Sequence, residues 1–475
     1  DMKITRGVLI LFSLFLLLGH TSAMASFSSP EDVVKIPFNS EIIDDDEENV
    51  LNLSTTLVGT RQYPFISYTI QDTSGLQWTH PATAEAPGNC GVNNSWHCNR
   101  ALFSPTIVNS SLSNVATSRY GPDTFGVAWA FQQGAFIVGY SREYKNDMRL
   151  LTYTLDNLIQ ISKFGTNVAG APSIERIGGR YRMAVVIWEF LGDIRFYRLV
   201  YMQYVGGNDN TSCSSTPSGY QCDVIESGAS IASPSLAYAG EDTGIAYVKG
   251  NAVRYAYPWD PPIYPPDRPV NCGTEDNPWR CIDIVNPSGG ATVGSRVALA
   301  HGSDDTHAEI VYSIRPTTKD MLMRASYVGS GGDCGGDGNT IGPSPQPVYR
   351  WNCRDVDAFI DNLADTTFAV TFDPNDFPVV SWNNKYTGDS AQRLYISYPA
   401  ARVGEGTGWK KQVVDGNAYS TTGIWNDISI NSAGLTSIAY IQPVFRACPT
   451  CPVDATDNLK VTRQFFKTYL PLIQK

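Results

Sequence analysis

The chain reads as an all-β protein forming a single β-propeller, and three observations predict it. A short apolar run ending in an aromatic recurs seven times, at Tyr68, Trp129, Trp188, Tyr247, Tyr312, Trp382 and Tyr440. The steps between these aromatics are 61, 59, 59, 65, 70 and 58 residues, the even spacing of a repeated structural unit. Around each copy lie period-two runs bounded by Gly, Pro and Asp, which is strand patterning. The composition agrees: Tyr (25), Trp (10), Gly (41) and Pro (29) suit a β-rich, turn-rich chain.

Each repeat reads in the same order. An alternating run that closes in a turn comes first, as in "SPSLAYAG" (233–240), "SRVALAHG" (295–302) and "WNDISINSAG" (425–434). The apolar run with its aromatic follows, then a second alternating run such as "VRYAYP" (253–258) or "RLYISYP" (393–399). A longer loop leads to a last run, "RCIDIV" (280–285) or "WKKQVVD" (409–415). Four antiparallel strands per repeat, counted outward from a central axis, make a propeller blade. The second strand is the most apolar because neighbouring blades cover both its faces, and its aromatic is expected to wedge between blades.

Seven blades are expected over 51–103, 104–167, 168–228, 229–290, 291–358, 359–416 and 417–475, with six or eight left open. The second repeat lacks cysteines, and the seventh has no clear outer strand. Residues 26–50 form an N-terminal segment in which "DVVKIPFNSE" (32–41) is expected to close the last blade, with "DDDEEN" (44–49) a solvated connector. Residues 1–25 read as a signal peptide: Lys3 and Arg6, an apolar run over 7–19, then Ala23 and Ala25. A secreted or cell-surface protein is expected, with no membrane span in the mature chain.

Export changes how the ten cysteines are read. In an exported chain they favour disulfides over zinc or catalytic thiols, paired with near neighbours as Cys90–Cys98, Cys213–Cys222, Cys272–Cys281, Cys334–Cys353 and Cys448–Cys451. Trp96, Trp279 and Trp351 stand two residues before the second cysteine, and Tyr220 does so in the third repeat. The motif Cys-Gly, loop, Trp-x-Cys is therefore read as a clasp on the outermost strand. Each such bridge is worth about 2–3 kcal/mol when unstrained.

Chemistry is sought on the face carrying the outer-to-inner and second-to-third strand loops. These loops bring Asp72, Glu189, Asp193, Arg315, Lys319, Asp361, Asp365, Lys385, Trp425 and Asp427 toward the axis. Carboxylates with Arg and Trp beside an axial pocket suit a glycan or a cation. A net charge of −11 with no basic run excludes nucleic acid as a partner. There is no G-x-S-x-G elbow and no H-E-x-x-H helix, so no catalytic residue is assigned. No cofactor is assigned either; calcium is the cation kept open, on "DCGGDGN" (333–339), which lacks the alternating aspartates of a calcium loop. Sequons stand at Asn52, Asn93, Asn109 and Asn210.

The "SPSLAY…GIAY…VRYAY" pattern resembles the sialidase-like propeller repeats of exported bacterial proteins. The tail "YLPLIQK" is similar to short C-terminal tails of some secreted bacterial proteins. The resemblance covers nearly the whole mature chain and implies the fold. It departs from true sialidases in having no S-x-D-x-G-x-x-W box, which leaves activity unassigned. The function expected is a non-catalytic binding or surface-interaction module for a glycan or an extracellular protein. A glycoside hydrolase or lyase using Asp361, Asp365 and Asp427 is the alternative, and a structural subunit of a surface assembly the third reading.

Overall fold

The computed structural model describes strands and turns from Phe38 to Gln464. Residues 1–37, 99–113, 145–157, 260–270, 338–347, 359–366, 446–454 and 465–475, with several shorter stretches, lie outside the described residues. The fold is an all-β propeller. In the first repeat the strands Asn49–Thr56, Phe65–Gln71, Gln77–Ala84 and Trp96–Cys98 pair in chain order. The sixth does the same with Phe368–Phe372, Pro378–Asn384, Arg393–Pro399 and Trp409–Asp415. The sheets of the fourth and fifth repeats touch through one bridge, Asp283 to Gly336, and so count as one sheet.

The inner strands are Asn49–Thr56, Asn114–Tyr120, Ser173–Ile177, Ile231–Ala239, Thr292–His301, Phe368–Phe372 and Ile424–Ile430. Each neighbours the next in that order, and the last neighbours the first, so they enclose an axis. The seventh sheet is completed from the other end of the chain. The strand Phe38–Asp44 pairs antiparallel with Ala455–Gln464 and takes the outer position. It begins at Phe38 and runs through Asp44, and Asn49 already opens the first inner strand. Ile43 is fully buried in one cluster with Leu459 and Val461, and Arg463 donates to Glu41 at 2.7 Å. The strand thus covers apolar surface as well as filling a hydrogen-bonding edge.

The aromatics wedge between blades in most repeats. Tyr68, Tyr247, Tyr312, Trp382 and Tyr440 are all at most 1% exposed. Tyr247 donates its hydroxyl to Glu226 on the preceding outer strand, and Tyr440 does the same to Asp415. Lys249 and Lys460 complete these two clusters, each 2.6 Å from the same carboxylate. The third repeat departs from the expected register. There Ala184 faces Ser173 as Ala246 faces Ser235, so Val185, and not Trp188, holds the wedge position. Trp188 lies three residues further along an extended hairpin, Arg180–Leu191 and Ile194–Tyr204.

Four of the five cysteine pairs are bonded as expected, Cys90–Cys98, Cys213–Cys222, Cys272–Cys281 and Cys334–Cys353; Cys448 and Cys451 lie outside the described residues. The structure also explains the rest of the motif. The residue before the first cysteine accepts the backbone N–H of the second: Asn89 at 2.7 Å, Ser212 at 2.9 Å, Asn271 at 2.8 Å and Asp333 at 2.8 Å. A side chain there does what a neighbouring strand would do for the sheet's outer edge. The glycine after the cysteine lies flat on the tryptophan. Gly335 has φ +64°, and a Cβ on it would stand 2.3 Å from the Trp351 ring. Trp279 and Trp351 in turn reach the preceding blade, meeting Tyr201 and Tyr255 at ring-centre distances of 5.1 Å in both cases. The repeated motif is an inter-blade wedge held in place by a disulfide.

Candidate functional site

The inner strands enclose a cavity of about 840 Å³, large enough for a small oligosaccharide. One position per inner strand recurs along its wall: Ser54, Ser173, Ser235, Ala298, Ala369 and Asp427. These residues are equivalent by register. Ser235, Ala298 and Asp427 face Ala246, Val311 and Ala439, each the residue just before a wedge aromatic. At three of these positions the side-chain oxygen accepts the N–H of the next inner strand. Ser173 takes Leu236 and Ser235 takes Leu299, both at 2.9 Å, and Asp427 takes Thr55 at 2.7 Å. Small side chains are required here because the strands converge on the axis, and an oxygen at this point ties one blade to the next.

Asp427 makes this tie at the step where the last blade meets the first. Its second oxygen accepts the Ile428 N–H at 2.9 Å, and Ser54 Oγ adds a bond of 3.1 Å to the first. Burial raises its pKa to about 6, against the three donors, which favour the charged form. A carboxyl whose pKa is raised by folding binds its proton more tightly in the folded state, so its contribution is full below about pH 4 and is lost as pH rises through 6. An Asp427→Asn chain keeps an acceptor for Thr55 and cannot ionise. It is expected to gain stability relative to the parent by up to about 3 kcal/mol between pH 4 and 7, read from paired denaturant titrations. A difference that does not change with pH would contradict the buried carboxyl.

Of the other acids of the cavity wall, Glu175 stands on the inner strand Ser173–Ile177, and Asp373 and Asp376 are engaged in turns. Asp373 accepts the Asn375 and Phe377 N–H groups at 2.9 and 3.1 Å and pairs with Arg402 at 2.8 Å. Asp376 holds the neighbouring turn through the Ser303 N–H and hydroxyl at 2.7 and 2.6 Å. Gly302, Ser303, Asp376 and Ser432 belong to inner-to-second strand turns and line the cavity. It therefore reaches the face opposite the loops in which the sequence places the candidate site.

At the start of the inner strands two further side chains meet. The Arg296 guanidinium lies 3.8 Å from the centre of the Trp425 ring. Those of the remaining candidates that are described do not gather around them. Glu189 pairs with Arg198 at 2.5 Å, and Asp193 is exposed in the turn of the third-repeat hairpin. Arg315 is held by two bonds to the buried Asp320 at 2.5 and 2.7 Å. Asp72, Lys319, Asp361, Asp365 and Lys385 lie outside the described residues. Among the described candidates only Trp425 and Asp427 share an element, and Arg296, absent from the candidates, stacks on Trp425. The sequence signal for Arg296 was a charge within "SRVALAHG", where the fourth repeat reads "SPSLAYAG". In "DCGGDGN", Asp333 is occupied by the Cys353 N–H and by Arg354, which holds its carboxyl below the usual range.

One surface stands out for its exposed apolar side chains. Phe190, Leu191 and Ile194, at the tip of the third-repeat hairpin, are 59, 53 and 64% exposed. Trp188 stands edge-on to Phe190 at 5.1 Å, with the Arg195 guanidinium over its ring at 4.7 Å. Apolar patches of this kind mark contact surfaces. Four disulfides fit an oxidising compartment, and among the described residues no helix is long and apolar enough to cross a membrane.

No protein-family model and no curated protein matches the chain. Solved structures do. The endosialidase of phage phi92 is similar over 93% of this chain and 71% of its own, at 8% identity and a TM-score of 0.45. The leech intramolecular trans-sialidase, complexed with 2,7-anhydro-Neu5Ac, is similar over 89% and 68%, at 10% identity and 0.38. A mutant of the Aleuria aurantia lectin in complex with alpha-methyl-L-fucoside is similar over 79% and 97%, at 14% identity and 0.37. These neighbours include both binding proteins and sialidases, and the likeness is one of fold.

Proposed function

We propose that the chain is a non-catalytic binding module, a seven-bladed extracellular propeller that recognises a glycan or an extracellular protein. The observation that carries this reading is the axial cavity: its recurring wall position holds Ser, Ala and Asp427, and that carboxylate is committed to backbone N–H groups. An acid tied to its own scaffold binds and shapes, and is poorly placed to exchange a proton with a substrate. The exposed hairpin tip supports a contact surface as well. One feature favours the glycoside hydrolase alternative: burial brings Asp427 to about 6, the range of a general acid.

A glycan array probed with the oxidised mature protein, with and without calcium, tests the proposal. Saturable binding to a defined set of glycans is expected. Silence across the array, together with no protein captured by the immobilised hairpin-intact chain, would refute it.

A further inference from the structure

We propose that Arg296 and Trp425 form an oxyanion-binding site at the mouth of the axis, for a ligand carrying a carboxylate or phosphate group. Among the described residues, several half-buried arginines are paired. Arg254 meets Glu226 and Asp283, Arg324 meets Glu309, and Arg402 meets Asp373. Arg296 differs. It is half-buried, and among the described residues it has neither an ion pair nor a hydrogen bond; its one partner is the face of Trp425 at 3.8 Å. A buried charge without a counter-charge is costly, and desolvation lowers this guanidinium to about 10. Stacking on an indole leaves the five N–H donors free in the plane of the guanidinium, in the fork geometry that matches an oxyanion.

The backbone supports the same assignment. Both residues sit in β-bulges of their inner strands, where the pairing slips between Val293 and Val297 and between Ile424 and Asp427. Bulges re-aim side chains, and they are common beside sites. Trp425 has φ +50°, a conformation unfavourable for a bulky side chain. Ser233 occupies the same place in the fourth repeat at φ +48°, so the bulge belongs to the repeat, and the seventh repeat uses it to present an indole. Strain and an uncompensated charge at one spot mark a place kept for binding at a cost in stability.

The test uses the full oxidised chain with sodium D-glucuronate, inorganic phosphate and D-glucose at matched ionic strength. Saturable thermal stabilisation by glucuronate or phosphate, and none by glucose, is expected. Glucuronate alone assigns a carboxylate, and phosphate alone a phosphoryl group. Arg296→Gln is expected to abolish the response and to melt no lower than the parent when ligand-free, because it removes an unpaired charge. Arg296→Lys should weaken the response at least tenfold, since an ammonium has no fork. The proposal is overturned if glucose acts as well as glucuronate, if no anion acts, if Arg296→Gln still responds, or if that variant alone lowers the melting temperature by several degrees. A glycan array that returns only neutral sugars would leave the binding-module reading standing while this site fails.

Discussion

Replacing Trp351 with alanine is expected to destabilise the oxidised protein by about 3–5 kcal/mol. Trp351 is 1% exposed and stands in one apolar cluster with Val253 and Ile282 of the fourth repeat and Ile310 and Tyr312 of the fifth. It meets Tyr255 and Tyr327 edge-on at 5.1 and 5.3 Å, and Gly335 closes over it. Truncation leaves a void between two blades that neither can fill, because strand pairing on each side fixes the backbone. The measurement is a denaturant titration of the variant with its disulfides intact. Trp351→Phe, which keeps a ring against Tyr255, should lose markedly less. A cost under about 1 kcal/mol for the alanine variant would mean that the wedge contributes little.

A chain beginning at Asn49 is expected to lose the cooperative unfolding transition altogether. Without Phe38–Asp44 the strand Ala455–Gln464 becomes an open edge, and the surface of Leu459 and Val461 covered by Ile43 is exposed to water. The closing blade is also the one whose inner strand is tied to the first by Asp427 and Thr55. Loss of the outer strand therefore reaches the axis through a single sheet. Adding a synthetic peptide covering residues 37–45 should restore the transition in a concentration-dependent way. A shortened chain that unfolds in one sharp step at the parent's midpoint would contradict closure by this strand.

Much of the fold was legible because the second strand is buried on both faces, and burial of that kind leaves an unbroken apolar run with a large aromatic at its end. Four of the cysteine pairs were legible for a similar reason: a disulfide of short span needs near neighbours in sequence. The register of the third repeat was not, since Val185 occupies the wedge position and Trp188 draws the eye to an extended hairpin. Residues 38–41 of the expected closing segment lie in the closing strand, which continues through Asp44 into the expected connector, while 32–37 lie outside the described residues. How far the strand runs is decided by its partner strand, which spacing does not carry. The ties at Ser173, Ser235 and Asp427 depend on which residue of one repeat faces which of the next, and sequence spacing does not carry that. Arg296 and Trp425 lie two repeats apart and meet across the one between them, which no spacing within a repeat foretells.

The central claim, binding without chemistry, is tested most directly by product analysis. The oxidised protein and its Asp427→Asn variant are incubated with the glycans that the array returns, and the glycan masses are followed over days by mass spectrometry. The account predicts unchanged masses with both proteins, and binding by both. Cleaved or eliminated products formed by the parent and absent with Asp427→Asn would make Asp427 a catalytic acid and the chain an enzyme.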